Sequence, residues 1–412
     1  MAHDATDKPF EHSAQSRDHK ELGTQLDLFL FNDLVGSGLP LWTPKGTILR
    51  EELDAFVWEL RKKHGYQKVE IPHMAKKDLY EKSGHWDKFK NDLFRVTTRE
   101  GHEFAIKPMN CPHHTQIYAR KPQSYRDLPV RYCNTTICYR DEQTGELNGL
   151  ARLRAFTQDD AHVFCRQPQI EEEILKIWDI VDEFYSTFGF HLSPTLSLSD
   201  PNNMDAYLGD SARWKQAEDA LRSVAKKRKV DAPEVLGEAA FYGPKIDFVA
   251  ADSMGRKWQV ATIQLDMNMP ERFDLTCVNE KGENERIVMI HYAVMGALER
   301  FLSILLEHTQ GSLPAWLAPV QVALATVSNE KHLGHANKLA AELSAAGARV
   351  WVDDSDESVG KKVRNAEQQK IPYTLVIGDK EMAGTALAVR SRGEKDTMEM
   401  TAEELVAKLK RS

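Results

Sequence analysis

Cys111 sits in "IKPMNCPHHTQIYARK" (residues 106–121), between Asn110 and Pro112, with His113 and His114 directly behind it. A thiol there is a metal ligand, a nucleophile or a packed core residue, and the choice depends on what can meet it. A second stretch, "RLRAFTQDDAHVFC" (152–165), carries more chemistry. Read as a strand, its period of two puts Arg152, Arg154, Phe156, Gln158, Asp160 and His162 on one face. Two cations, a ring, an amide, an acid and an imidazole suit a ligand better than bulk water does. The other face carries Ala155, Thr157, Asp159, Ala161 and Val163. Upstream, "CNTTICYRDEQ" reads as a hairpin partner, with Arg140 and Glu142 on one face and the turn-rich "QTGELNGL" between the strands. A fixed arginine can hold a phosphate through a fork of two hydrogen bonds. Phe156 can stack on a purine. A surface ion pair is the alternative for Arg140 and Glu142.

The elements that must position these groups follow from periodicity. Apolar residues at 49, 53, 56, 57 and 60 predict an amphipathic helix, with Glu51 and Glu52 in its first turn. After Gly65, "YQKVEIP" reads as a short strand stopped by Pro72. Residues 86–166 read as mostly antiparallel strands. Helices follow at 171–189 and at "ARWKQAEDALRSVAKKRK", then strands at "AAFYGPKIDFVAAD" and "KWQVATIQLDM". "RIVMIHYAV" runs into the apolar helix "GALERFLSILLEHT". On one straight helix His291 and Arg300 would point to opposite sides. His291 is therefore expected on the strand, and Arg300 on a helix beginning near Gly296.

"PAWLAP" (314–319) reads as a linker. Beyond it strand and helix alternate, with a last helix capped by Thr401 and Glu404, which predicts a small α/β domain with a largely parallel sheet. The expected organisation is a tail over 1–20, an α+β domain over 21–313 with an antiparallel sheet flanked by helices, and an α/β domain over 314–412.

The 412 residues are 42% hydrophobic and 28% charged, a globular composition that suggests two or three domains. No apolar run approaches the ~18 residues of a membrane span, and the polar N-terminus has no signal core, so a cytoplasmic protein is expected. A net charge of −8 does not exclude a nucleic-acid partner, because binding needs only a local basic patch. "RKKHG" (61–65) and "KKRK" (226–229) are such clusters, although each also fits a solvated helix face. Five scattered cysteines argue against a disulfide framework. Cys133 and Cys138, an odd step apart on a strand, fall on opposite faces.

"ICYRDEQTGELNGLARLRAFTQDDAH" resembles motif 2 of the class II aminoacyl-tRNA synthetases. "GYQKVEIP" resembles motif 1, and "GALERF" resembles motif 3. Within the class, "KPMNCP", "FTQDDAH", "AFYGPK" and "MIHYAV" are similar to the threonyl-tRNA synthetase family, and "WLAPVQV" and "PYTLVIGDKE" resemble its anticodon-binding domain. The resemblance runs from about Asp18 to the C-terminus. It implies a class II catalytic domain, ATP with Mg2+, threonine and tRNA(Thr) as partners, and a homodimer built around motif 1.

It also implies one Zn2+ per subunit on Cys111, His162 and His291, three protein ligands with a fourth position open. His113 and His114 are outside the implied set. His113 replaces a small residue usual in the family. An apolar pocket separates valine from threonine only ~100-fold, so a metal that takes amine and hydroxyl together would supply the discrimination, with Asp160 accepting from the hydroxyl. Gln158, Tyr242 and Lys245 would surround the threonine. Arg140 would hold the α-phosphate, Arg300 the γ-phosphate region and Arg152 the outer phosphates. Phe156 would stack on adenine, Glu142 would read its amino group, and Gln259 and Thr262 would touch the ribose. His85 would help remove the ribose proton of the tRNA, its ordinary pKa suiting that task. Glu381 and Arg390 would read the anticodon.

Nothing before Asp18 reads as the family's editing domain, so seryl-tRNA made by this chain is expected to persist, whether the chain is naturally short or trimmed. Ala297, where the family often has Ser, and Tyr139 and Asp141 beside Arg140 leave room for a paralogue with another acceptor or an inhibitor-tolerant copy. A catalytically idle tRNA-binding protein is the third reading; the metal ligands and motif arginines are all present against it.

Overall fold

The structure, a computed structural model, describes residues 17–252, 255–384 and 386–411. Internal contacts divide them into two units, one of Leu28–Ile304 and one of the described residues up to Asp27 together with those from Leu305 onward. Most of the expected 1–20 tail lies outside the described residues. Asp18 caps a short helix, His19–Gln25, through bonds from Lys20 N and Glu21 N.

The larger unit is built on an eight-stranded sheet. Its strands are β1 (Gln67–Lys68), β2 (Val130–Tyr139), β3 (Ala155–Cys165), β4 (Leu192–Leu198), β5 (Glu234–Leu236), β6 (Lys245–Ala251), β7 (Lys257–Asp266) and β8 (Val288–Ala297). The order across the sheet is β5-β4-β6-β7-β8-β3-β2-β1. Only the outer pairs β5–β4 and β1–β2 are parallel, as the expected antiparallel sheet requires.

Helices α1 (Pro44–Lys63), α2 (Cys111–Ala119), α3 (Ile170–Ser186), α4 (Ser211–Arg228) and α5 (Leu298–Thr309) accompany it. Helix α1 starts earlier than its apolar stripe suggests. Thr43 caps it by accepting from Gly46 N, and Pro44 fits the first turn, so Glu51 and Glu52 lie in its interior. Phe56 of α1 and Phe301 of α5 both pack on Phe184 of α3, with ring centroids 5.3 and 5.1 Å away. Tyr185 of α3 donates to the Val294 carbonyl at 2.8 Å, which ties that helix to the back of β8.

Two local expectations change. Helix α2 replaces expected strand, because Pro112 is tolerated in a helix's first turn. Strand β3 begins at Ala155, so Arg152 and Arg154 precede it; Arg154 is drawn away by the carbonyls of Glu142 and Ser37. The "RKKHG" cluster is broken up, since Arg61 is only 1% exposed and Lys63 pairs with Glu183. In "KKRK", Lys227 pairs with Glu171, and Arg228 with Asp179 and Asp182.

The smaller unit contains β9 (Val322–Thr326), α6 (Asn329–Ala345), β10 (Val350–Asp353), α7 (Val359–Gln368), β11 (Tyr373–Ile377), β12 (Leu387–Ser391), β13 (Thr397–Met400) and α8 (Ala402–Leu409). Strands β10, β9 and β11 are parallel neighbours, and β12 and β13 extend the sheet antiparallel. Thr401 and Glu404 form the expected capping box. No described helix is long and apolar enough to cross a membrane.

Candidate active site

On β3 the alternate residues Gln158, Asp160 and His162 line a cleft of about 310 Å³. His162 stands directly opposite His291 of β8 in the antiparallel register, so the two rings share that face. His162 Nε2 is 3.1 Å from His291 Nδ1. Cys111, at the start of α2, completes the group: one donor atom from each of the three residues lies within 4.8 Å of the others.

The remaining ring nitrogens are held from behind. His162 Nδ1 meets His114 Nδ1 at 2.8 Å, and His291 Nε2 meets Asp266 Oδ2 at 2.9 Å. Burial, with His114 and His291 adding to it, keeps His162 well below the ordinary imidazole value and therefore neutral. Two imidazoles and a thiol, each ring oriented by a second partner, fit zinc. The doublet "HH" after Pro112 was the only sequence trace of the His114 contact.

Asp160 is supported in the same way. Asn110 Nδ2 donates to Asp160 Oδ2 at 3.1 Å, and the buried Lys107 Nζ donates to Asn110 Oδ1 at 2.8 Å. Burial pushes the Asp160 carboxyl up to about 6, against the pull of His291 and of the Asn110 bond. "KPMNCP" thus supplies a lysine and an amide to the site as well as its thiol. Across the cleft, Tyr242 donates to Gln264 Oε1 at 2.5 Å, and its ring centroid is 5.0 Å from that of His291. The turn bearing Tyr242 presses on β7. A Cβ on Gly243 would lie 1.9 Å from the Leu265 carbonyl oxygen, so only glycine fits.

The other end of the cleft is cationic. Arg140 and Arg300 line both it and an adjoining pocket of about 150 Å³, which Glu142, Arg152 and Phe156 also line. The Arg140 guanidinium sits between two rings, 5.3 Å from the centroid of Phe89 and 5.1 Å from that of Phe156. Arg140 Nε is buried and makes no hydrogen bond among the described residues. Arg152 pairs with Glu142 at 2.7 Å. Burial pulls Arg300 below the ordinary guanidinium value, and the nearby Arg140 and Arg152 cations add to the shift. Arginines that disfavour one another's charge, one holding an idle buried N–H, make a place for an anion.

Gln259 and Thr262 are an odd step apart on β7 and would ordinarily point to opposite faces. A register irregularity between Phe248 and Val249 of β6 skips Val260, and Gln259 Nε2 comes within 2.9 Å of Thr262 Oγ1. Both line the cleft. Lys245 lies beside them, its Nζ 3.0 Å from Asp247 Oδ2.

His85 falls elsewhere. It is fully buried behind the thiol, with Nε2 3.9 Å from Cys111 Sγ and Nδ1 2.7 Å from Ser83 Oγ. Burial, with smaller contributions from His291, Arg272 and Arg140, lowers its pKa to about 3, so an ordinary pKa cannot be the reason for assigning it proton transfer. His113 packs away from the cleft, its ring centroid 6.1 Å from that of Tyr80. Ala297 lines the adjoining pocket opposite Gln158. Tyr139 meets His73 at 3.2 Å, and Asp141 meets Arg154 at 3.8 Å. In the smaller unit, Glu381 accepts from Gly378 N, and Arg390 pairs with Glu367 at 3.1 Å.

Residues 94–309 match the family described as tRNA synthetase class II core domain (G, H, P, S and T), and residues 321–412 match the anticodon binding domain family. The chain belongs to the class II tRNA synthetases. Within that class it is similar to threonyl-tRNA synthetases. It is 45% identical over 396 residues to the threonine--tRNA ligase of Cytophaga hutchinsonii, covering 95% of this chain and 61% of that one. It is 47% identical over 393 residues to the threonine--tRNA ligase of Chloroherpeton thalassium, covering 93% and 60%. The chain thus spans about three-fifths of the length of these curated relatives. Among solved structures, the RNA binding domain of threonyl-tRNA synthetase from Cryptosporidium parvum superposes with a TM-score of 0.91 at 36% identity, covering 95% of this chain and 98% of that one.

Proposed function

We infer that this chain joins threonine to tRNA(Thr) in two steps. The observation that carries the reading is one cleft with a Cys111–His162–His291 donor set beside Asp160 at one end and the Arg140–Phe156–Arg300 group at the other. In the first step a carboxylate oxygen of threonine attacks the α-phosphorus of ATP, and pyrophosphate leaves with the electrons of the broken P–O bond. Arg140 holds the α-phosphate, its guanidinium already fixed between two rings. Arg300 and Arg152 take the outer phosphates, which enter with Mg2+. Phe156 and Glu142 hold the adenine; Gln259 and Thr262 hold the ribose. In the second step a hydroxyl of the terminal adenosine attacks the threonyl carbonyl, and AMP leaves. His85 lies close behind the cleft for a part in that proton's removal, acting as a neutral ring.

Gln158, Tyr242 and Lys245 surround the threonine, and Asp160 accepts the hydroxyl proton's hydrogen bond. Zinc held by Cys111, His162 and His291 would supply a Lewis-acid anchor for the amine and the hydroxyl. Valine offers no hydroxyl to Asp160 and is refused. Serine offers both groups and lacks one methyl, worth ~1–3 kcal/mol, so it is activated at a measurable rate. Glu381 and Arg390 belong to the anticodon-reading surface of 314–412, and α1 with the following strand forms a homodimer contact. Such an enzyme works in the cytoplasm.

Amino-acid-dependent ATP–pyrophosphate exchange tests this. Threonine is expected to drive exchange strongly, serine weakly and valine at background, with a zinc chelator abolishing the threonine signal. Exchange driven equally by valine, or unaffected in metal-free protein, would overturn the reading.

A further inference from the structure

The nucleotide side of the cleft is organised by a carboxylate that is not among its lining residues. Asp247 lies on β6 and is 5% exposed. Its Oδ1 accepts from Gln259 Nε2 at 2.6 Å and from Thr262 Oγ1 at 2.8 Å. Its Oδ2 accepts from Ser197 Oγ at 2.6 Å and lies 3.0 Å from the Lys245 ammonium. A carboxylate has about four lone-pair sites, so Asp247 is saturated. Three of its four donors are residues assigned above to ATP or threonine.

The convergence comes from sheet geometry. Asp247 stands opposite Thr262 in the β6–β7 register. Lys245 is two residues back on the same face. The irregularity after Phe248 turns Gln259 to that side as well. Ser197, on β4, holds the carboxylate from outside the cleft. Without this anchor the Lys245 ammonium would lose its counter-charge, and Gln259 and Thr262 would keep only their bond to each other.

We propose that Asp247 is a positioning residue for the adenylate-forming step, acting through Gln259, Thr262 and Lys245 without touching substrate. This rests on reading the cleft as an ATP site. The metal-binding cluster and Asp160 belong to α2, β3 and β8, and their hydrogen bonds run to Asn110, His114 and Asp266 rather than to Asp247. Asp247 reaches the threonine only through Lys245 and touches none of the groups that tell threonine from valine, so placement of the nucleotide and that preference should separate.

The test is Asp247→Asn in the full chain, assayed by pyrophosphate exchange. The amide turns an NH2 toward groups that are themselves donors. KM for ATP is expected to rise about tenfold, the loss of one or two charge-assisted bonds, and kcat to fall as Lys245 is released. Zinc content and the preference for threonine over valine stay as in the wild type, which a general loosening of the fold would not allow. Asp247→Glu keeps the charge and recovers part of the loss. Should Asp247→Asn not fold, Ser197→Ala carries the test, because it removes the anchor's bond outside the cleft; a roughly threefold rise in KM for ATP is expected. An unchanged KM for ATP in whichever variant folds, or a parallel loss of amino-acid preference, overturns the inference. Failure of the underlying reading looks different: the wild-type chain itself would show no threonine-dependent exchange.

Discussion

Asp266 performs two tasks with one carboxylate. Oδ1 accepts the N–H groups of Asn268 and Met269, both at 2.8 Å, and Oδ2 faces His291 Nε2. Replacing it by Asn can preserve the first task, since the amide oxygen still accepts. It spoils the second, because an NH2 then meets an imidazole nitrogen that must carry a proton if its partner nitrogen is to bind metal. Such outer contacts are worth about 10–100-fold in metal affinity. Asp266→Asn is expected to lower zinc affinity by about that factor in competition with a graded chelator, while circular dichroism stays unchanged. His114→Ala should act in the same direction through His162. Affinities equal to the wild type in both would leave the two contacts as packing only.

The odd-numbered face of β3 supports the even-numbered one. Asp159 accepts from Val294 N at 2.8 Å and Met295 N at 3.0 Å, where the β8–β3 register breaks between Ala293 and Ala297. Arg61 of α1 donates to the Asp159 carbonyl at 2.7 Å and to Tyr292 Oη at 3.1 Å, and its guanidinium is 3.3 Å from the carboxylate. The pair clamps the bend that carries the chain from His291 on the strand to Arg300 on the helix. Removing one member of a buried pair costs about 3–5 kcal/mol because the other charge is left uncompensated. Arg61→Met is therefore expected to lower the unfolding free energy from urea titration by that much, and Arg61→Met with Asp159→Asn to recover part of it, since the amide oxygen still accepts from one of the two backbone N–H groups; an unchanged unfolding free energy for the single variant would deny the clamp. Much of the frame around this pair was legible beforehand. The alternation of β3 placed Phe156, Gln158, Asp160 and His162 together, and helical geometry separated His291 from Arg300. Irregular backbone was not legible, because Val260 and Val294 look like ordinary strand residues. Arg61 was misread as part of a basic surface, since sequence shows its charged neighbours Lys62 and Lys63 but not Asp159. Cys111, His162 and His291 converge only through the β3–β8 register and the start of α2, so family resemblance had to supply that trio.

The chain has two units with separate cores. In the smaller one, Val322, Leu324, Leu339, Leu343, Leu375, Ile377, Val389 and Leu405 bury one another under a mixed sheet. Every group assigned to adenylate formation lies within Leu28–Ile304, and both proposed anticodon readers lie beyond it. On the proposed reading, a net charge of −8 gives no overall attraction for RNA, so local contacts would have to carry recognition. Arg390 suits such a contact. Its side chain is a third exposed, and among the described residues it donates to the Glu394 carbonyl and pairs with Glu367, which together do not saturate its five donors. Glu381 already accepts from Gly378 N, so Glu381→Gln tests its charge while keeping a side-chain oxygen for that cap. A base-reading side chain is worth about 1–3 kcal/mol, roughly 5- to 150-fold. Arg390→Ala is expected to lower kcat/KM for tRNA charging within that range, and Glu381→Gln to do so more weakly. Pyrophosphate exchange, measured without tRNA, should keep its wild-type rate in both, because the adenylate forms before any anticodon is read. Charging and exchange that fell together would mean these substitutions act by damaging the fold, and the assignment of Glu381 and Arg390 to the anticodon would have to be withdrawn.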